Sequence, residues 1–224
     1  MSLKKEQKIS LFFDWDGVFA KINNFVPIWE YFFKEYNIPI YKIKIVLKEF
    51  DRDYQIGRLD NKLFWINISN SLGIECDVEK FNKVFFSKRE VNKLLLQEMK
   101  LFQENAYVNI VSNNFDYMKN KIENEYGKYF DGLFFSCDNG YVKPSLEPFR
   151  LASKQFNIPF YRMIFIDNDE ENINFLEGSG IKCILFKWEK NDNTQELILT
   201  IKNELQSMVN ENAIRDLILP LYKK

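Results

Sequence analysis

Short hydrophobic runs alternate with longer amphipathic stretches along this chain. Ile9–Phe13, Tyr107–Val111, Leu133–Phe135, Met163–Ile166 and Cys183–Phe186 are rich in branched or aromatic side chains and bounded by polar residues. Unbroken apolar runs of this kind predict strands covered on both faces, as in a parallel sheet. Helical spacing separates them. Phe115–Tyr126 carries apolar residues near i, i+3, i+7 and i+11, and Leu146–Phe156 repeats the pattern through Phe149, Ala152 and Phe156. Alternating strands and helices predict an α/β fold with a Rossmann-like parallel sheet core. Asp138-Asn139-Gly140 marks a tight turn.

One interval breaks the alternation. From about Phe25 to Gln103 the periodicity is almost entirely helical: Trp29, Phe32, Phe33 and Tyr36, then Ile43, Val46, Leu47 and Phe50, then Leu63, Phe64, Ile66 and Leu72, with further stripes at Phe81–Phe85 and Val91–Leu95. About five helices exceed a single crossover, so an all-helical cap domain is expected at 23–104, inserted into an α/β core formed by 1–22 and 105–224. Thr194–Lys224 reads as one or two further helices, limited by Pro220.

Composition narrows the chemistry more than the fold. The 224 residues contain no histidine, which excludes His-based triads, His-ligated zinc and phosphohistidine intermediates. Acid–base work at neutral pH must fall to carboxylates, Lys, Tyr or Cys. With 31 basic against 32 acidic residues there is no cationic field, so nucleic acid is not an expected partner. Cys76, Cys137 and Cys183 form no Cys-x-x-Cys pair and suggest reduced thiols. A cysteine-phosphatase loop would want Arg six residues on, where Cys137 has Lys143 and Cys183 has Glu189. The polar N-terminal stretch lacks the apolar core of a signal peptide, and no apolar run approaches the ~20 residues of a membrane span. A soluble, cytoplasmic protein without membrane contact is expected.

Four polar clusters fall at or just after expected strand ends, where ligands bind in open α/β sheets. Asp14-Trp15-Asp16-Gly17 places two carboxylates at i and i+2, which suits a metal site or a nucleophile paired with a general acid, and equally a loop with two solvated aspartates. Ser112-Asn113-Asn114 offers a hydroxyl and amides at a helix start, either as an anion site or with an Asn as the helix cap. Gly140-Tyr141-Val142-Lys143-Pro144 presents a Lys before a stiffening proline; a lone loop Lys is ordinarily solvated. The acids of Phe165–Asn172 could favour the next helix's N-terminus or coordinate a divalent ion.

In this order the clusters resemble the haloacid dehalogenase superfamily of phosphohydrolases, in the branch whose helical cap follows the first motif. The resemblance spans about Ile9 to Phe186 and is closest in GYVKPSLEPF (140–149) and FIDNDEENI (165–173). It implies that Asp14 is the nucleophile forming an aspartyl-phosphate. It implies that Asp16 is the general acid and base, its carbonyl binding Mg²⁺, that Ser112 and the Asn113 amide hold phosphate oxygens, and that Lys143 neutralises charge. Dehalogenase members lack an acid at the Asp16 position, so the implied chemistry is phosphoryl transfer on a small phosphorylated substrate.

One departure bears on the metal. Where the family has adjacent acids, this chain has Asp167-Asn168. The Asn168 position normally supplies a carboxylate to Mg²⁺, and an amide oxygen brings no charge. The metal ligands implied are Asp14, Asp16 and Asn168, with Asp167 or Asp169 direct or through water, and Mg²⁺ binding is expected to be weak. Asn172 matches the family's usual Asn and is expected to tie the loop together. Polar cap residues Arg52, Asp53, Tyr54, Gln55 and Arg58 include candidates for substrate contact. A phosphomutase, or a non-catalytic phosphate-binding or interaction protein, stands as the alternative to a phosphatase, and the oligomeric state is left open.

Overall fold

A computed structural model describes residues 8–21, 25–87, 89–188 and 191–218. The N-terminal Met1–Gln7, the expected boundary at 22–23 and Pro220 lie outside the described residues.

The apolar runs form one five-stranded sheet, β1 (Ile9–Phe13), β2 (Ala106–Ser112), β3 (Gly132–Phe135), β4 (Met163–Asp167) and β5 (Lys182–Leu185). The strands are all parallel in the order β3-β2-β1-β4-β5. Side chains alternate between faces. On central β1, Leu11 and Phe13 enter one core with Val108 and Ile110, while Phe12 enters the other with Val111, Phe149 and Phe165. Phe149 meets the rings of Phe12 and Phe165 edge-on, at 5.2 and 5.1 Å between centroids. Edge strand β5 is half exposed, and it begins one residue earlier than the apolar run suggests. β2 and β4 extend to Ser112 and Asp167, so those two polar side chains end their strands.

Five helices occupy the interval between β1 and β2: α1 (Val26–Tyr36), α2 (Ile40–Gln55), α3 (Asn61–Leu72), α4 (Val78–Phe86) and α5 (Lys93–Gln103). Asp60, Asp77 and Asn92 cap α3, α4 and α5 by accepting the backbone N–H three residues on. α1–α4 pack on one another around Phe32, Phe64, Trp65 and Phe81, with the Trp65 indole donating to Asn82 Oδ1 at 2.9 Å. α5 instead packs against β2 and α10 (Asn191–Ile218). Within the expected 23–104 range α5 stands apart from α1–α4, its apolar face covering the sheet. The chain leaves and re-enters the core through paired segments, with Lys21 N–H donating to Glu90 O and Asn92 N–H to Phe19 O.

After β2 come α6 (Asp116–Tyr126), the short α7 (Ser136–Asn139), α8 (Glu147–Phe156) and α9 (Glu170–Phe175). The turn expected at Asp138–Gly140 is the end of α7, closed by Gly140 at φ +69°. Among the described residues the C-terminal stretch is the single helix α10. Gly57 brings the end of α2 onto α7: a Cβ there would lie 2.1 Å from the Cys137 carbonyl oxygen. Ser136 Oγ donates to Gln55 O nearby at 2.7 Å. Among the described residues no helix is long and apolar enough to cross a membrane.

Candidate active site

The ladder that joins β2, β1 and β4 aligns their carboxyl ends, pairing Phe13 with Ile110 on one side and Ile166 on the other. Asp14 extends the pairing by donating its N–H to Ile166 O. Asp14, Ser112 and Asp167 therefore emerge side by side, at the point where the chain crosses to opposite sides of β1.

Lys143 reaches in from the loop after α7 and joins them. Its Nζ lies 2.9 Å from Asp14 Oδ1 and 2.7 Å from Asp167 Oδ2, with only 4 % of the side chain exposed. Asn113 fixes the Lys143 backbone, accepting its N–H at 2.7 Å and donating to its carbonyl at 3.2 Å. Asp14 Oδ1 also accepts from Ser112 Oγ at 2.9 Å and from the Trp15 N–H at 2.7 Å. Among the described residues nothing donates to Oδ2 of Asp14, so that oxygen is the unpartnered one. Burial pushes the Asp14 carboxyl up to about 7, against the pull of Lys143. Burial acts to lower the Lys143 ammonium, but Asp14 and Asp167 outweigh it and the net shift is upward.

Asp167 takes a different place from the one expected beside a metal. It is fully buried. Its Oδ2 accepts from Lys143 and from Asn172 Nδ2, and its Oδ1 accepts the Asp169 N–H. With both oxygens engaged it orients Lys143. Asn172, by holding Asp167, does tie this segment together. Asp169 caps α9 through the Glu171 N–H and faces solvent.

Asp16 pairs with Arg89 Nη1 at 2.9 Å through Oδ1 and with Asn114 Nδ2 at 3.0 Å through Oδ2. Neither Asn113 nor Asn114 caps α6; its N-cap is Phe115, with no side-chain bond. Asn114 instead links Asp16 to Ser112. Arg89 carried no local signal, since its partner is 73 residues away.

Asn168 lies against the Asp-x-Asp-Gly turn. A Cβ on Gly17 would sit 2.5 Å from Asn168 Oδ1, so the missing side chain makes room for the amide. The carboxylate of Asp14, the carbonyl of Asp16 and the amide oxygen of Asn168 are all hard oxygen donors, a set that fits Mg²⁺. Among the described residues no three His, Cys, Asp or Glu side chains gather to hold a metal. The third acidic position is an amide, and Asp167 is spent on Lys143.

These groups line one side of a cavity of about 420 Å³. Trp29, Asp51, Gln55 and Phe85 line it from the helical insert. Of the cap candidates only Gln55 is on the wall. Tyr54 is buried and stacked between Phe64 and Phe115, and Arg58 pairs with Asp53 outside. Asp51 was missed, although it shares a helix face with Gln55 one turn on.

The fold is similar to that of a HAD family enzyme from Bacteroides thetaiotaomicron, solved in complex with magnesium and inorganic phosphate. The TM-score is 0.69 at 18% identity, covering 82% of this chain and 96% of that one. It is similar as well to a predicted HAD-like family hydrolase from Porphyromonas gingivalis, with a TM-score of 0.68, 17% identity, and 86% and 98% covered. A 2-haloacid dehalogenase from Pseudomonas syringae pv. Tomato DC3000 aligns at 0.60 with 13% identity, over 82% and 90% of the two chains. The family model for haloacid dehalogenase-like hydrolases matches residues 10–180, from the first strand through the Asp167–Asn172 segment, and the chain belongs to that family.

Proposed function

We propose that the protein is a Mg²⁺-dependent phosphatase that hydrolyses a small phosphate monoester through an aspartyl-phosphate on Asp14. The observation that carries this reading is the buried Asp14–Lys143–Asp167 group, open to the cavity beside Ser112 and an acid at Asp16.

Asp14 Oδ2 attacks phosphorus, the ester P–O bond breaks, and Asp16 gives its proton to the leaving alkoxide. Asp16 then takes a proton from water, whose oxygen attacks the same phosphorus and frees Asp14 with release of phosphate. The Arg89–Asp16 pair opens for these transfers, because both Asp16 oxygens are engaged in this structure. Lys143 offsets charge on Asp14 and on the transferring group, and Ser112 with the Asn113 amide holds phosphate oxygens. Mg²⁺, held by Asp14, the Asp16 carbonyl and Asn168, would supply positive charge against the phosphoryl oxygens. The Bacteroides relative's magnesium and phosphate support this assignment. The acid at Asp16 favours phosphoryl transfer over carbon–halogen cleavage.

Hydrolysis of p-nitrophenyl phosphate with and without Mg²⁺, in wild type and Asp14→Asn, tests the proposal. Metal-dependent turnover that disappears in Asp14→Asn is expected. No turnover at millimolar Mg²⁺ in wild type and Asn168→Asp alike overturns it, as does halide release from a haloacid. Turnover in Asn168→Asp alone marks a phosphate-binding protein with a degraded metal side, the reading that Asn168 itself favours. Transfer to a second hydroxyl of the substrate without free phosphate marks a mutase.

A further inference from the structure

We propose that the cavity takes the phosphate ester of a small ammonium-bearing alcohol, and that Asp51 selects the cationic end. The proposal rests on the phosphatase reading and names the substrate class of the same site.

At the sheet end Ser112 and Lys143, with Mg²⁺ when bound, would receive the phosphoryl group. At the cap end α2 contributes Asp51 and Gln55, one turn apart, and Gln55 Nε2 donates to Asp51 Oδ2 at 2.9 Å, which turns the carboxylate and leaves Oδ1 for a ligand. The other lining acids are accounted for. Asp14 is paired with Lys143, Asp16 with Arg89, and Asp169 is exposed and caps α9. Asp51 is partly buried, and among the described residues no Lys or Arg forms an ion pair with it. Burial raises its carboxyl above the ordinary value, against the bond from Gln55.

A partly buried carboxylate on a cavity wall, with one amide for company, gains when a cation joins it. A ligand ammonium supplies that charge. Polyol hydroxyls could hydrogen-bond to Asp51 but would leave its charge uncompensated, and a second anionic group would be repelled. A cavity of about 420 Å³ has room for the phosphoryl group and a small alcohol together.

The test compares kcat/KM for phosphoethanolamine and phosphocholine with that for uncharged alkyl phosphates of the same shape and for a sugar phosphate. Wild type should favour the cationic esters by about tenfold or more, the scale of one charge-assisted contact. The ratio should fall toward unity in Asp51→Asn and be partly kept in Asp51→Glu, with circular dichroism confirming folded variants. Calorimetry with Mg²⁺ present gives a readout without turnover: aminopropylphosphonate should bind about tenfold tighter than butylphosphonate, and the preference should vanish in Asp51→Asn. If no ester is hydrolysed but this preference holds, the phosphatase reading fails and the cation site stands. Equal binding of the two phosphonates, a preference for the sugar phosphate, or a ratio unchanged in Asp51→Asn overturns the proposal.

Discussion

The two walls of the cavity are made differently. On the sheet wall each charged group is spent on another: Lys143 bridges Asp14 and Asp167, Asn172 and the Asp169 N–H hold Asp167, and Asn113 clamps the Lys143 backbone. These residues sit at strand ends whose spacing is set by the parallel ladder. The cap wall consists of rings, an amide and a carboxylate without a counterion, carried on helices that meet the sheet through paired linkers and the end of α2. The proposed displacement at phosphorus would need donors and nucleophile at set distances before substrate arrives, which a hydrogen-bonded sheet can hold. Selection of a leaving group needs shape and one charge, which a helical insert can supply without disturbing the chemistry.

The largest effect that would break this contrast is at Asp14, the proposed nucleophile. Asp14→Asn should lower kcat at least about 10³-fold in a phosphate-release assay. The same change should raise the unfolding temperature of the metal-free protein at about pH 8. The folded pKa of Asp14, about 7, lies above the ordinary 3.8. Its destabilising cost is therefore absent below 3.8, grows between the two values and is complete above 7, so the gain should vanish by about pH 4.

Lys143→Met comes next. It leaves Asp14 and Asp167 facing each other without a cation, so chemical denaturation should show a loss of about 3–5 kcal/mol that shrinks as acid protonates the carboxylates. Turnover should drop roughly 10²-fold with it. Asn168→Asp sharpens the contrast from the metal side. Added ligand charge should tighten Mg²⁺ roughly tenfold, read from the Mg²⁺ dependence of turnover or by calorimetry. Arg58→Ala should change least, with kcat/KM within about twofold of wild type, because its exposed pair with Asp53 lies off the cavity wall.

Local pattern determined a large part of this protein. Strands β1 to β4, the helical interval and the Asp14, Ser112 and Lys143 positions are readable along the chain because buried strands, amphipathic helices and strand-end polar clusters each leave a periodic or positional mark. The tertiary structure decided what those marks could not. Asp167 orients Lys143 across 24 residues, and Arg89 finds Asp16 across 73. Asn113 and Asn114 abandon helix capping for bonds to Lys143 and Asp16, and α5 lays its apolar face on the sheet. Asp51 looks like any helix-surface acid until the cavity closes around it. Periodicity reports which side of an element is buried, whereas the partner of a buried charge depends on which strand ends and helices converge, and that is settled only when the whole chain is packed.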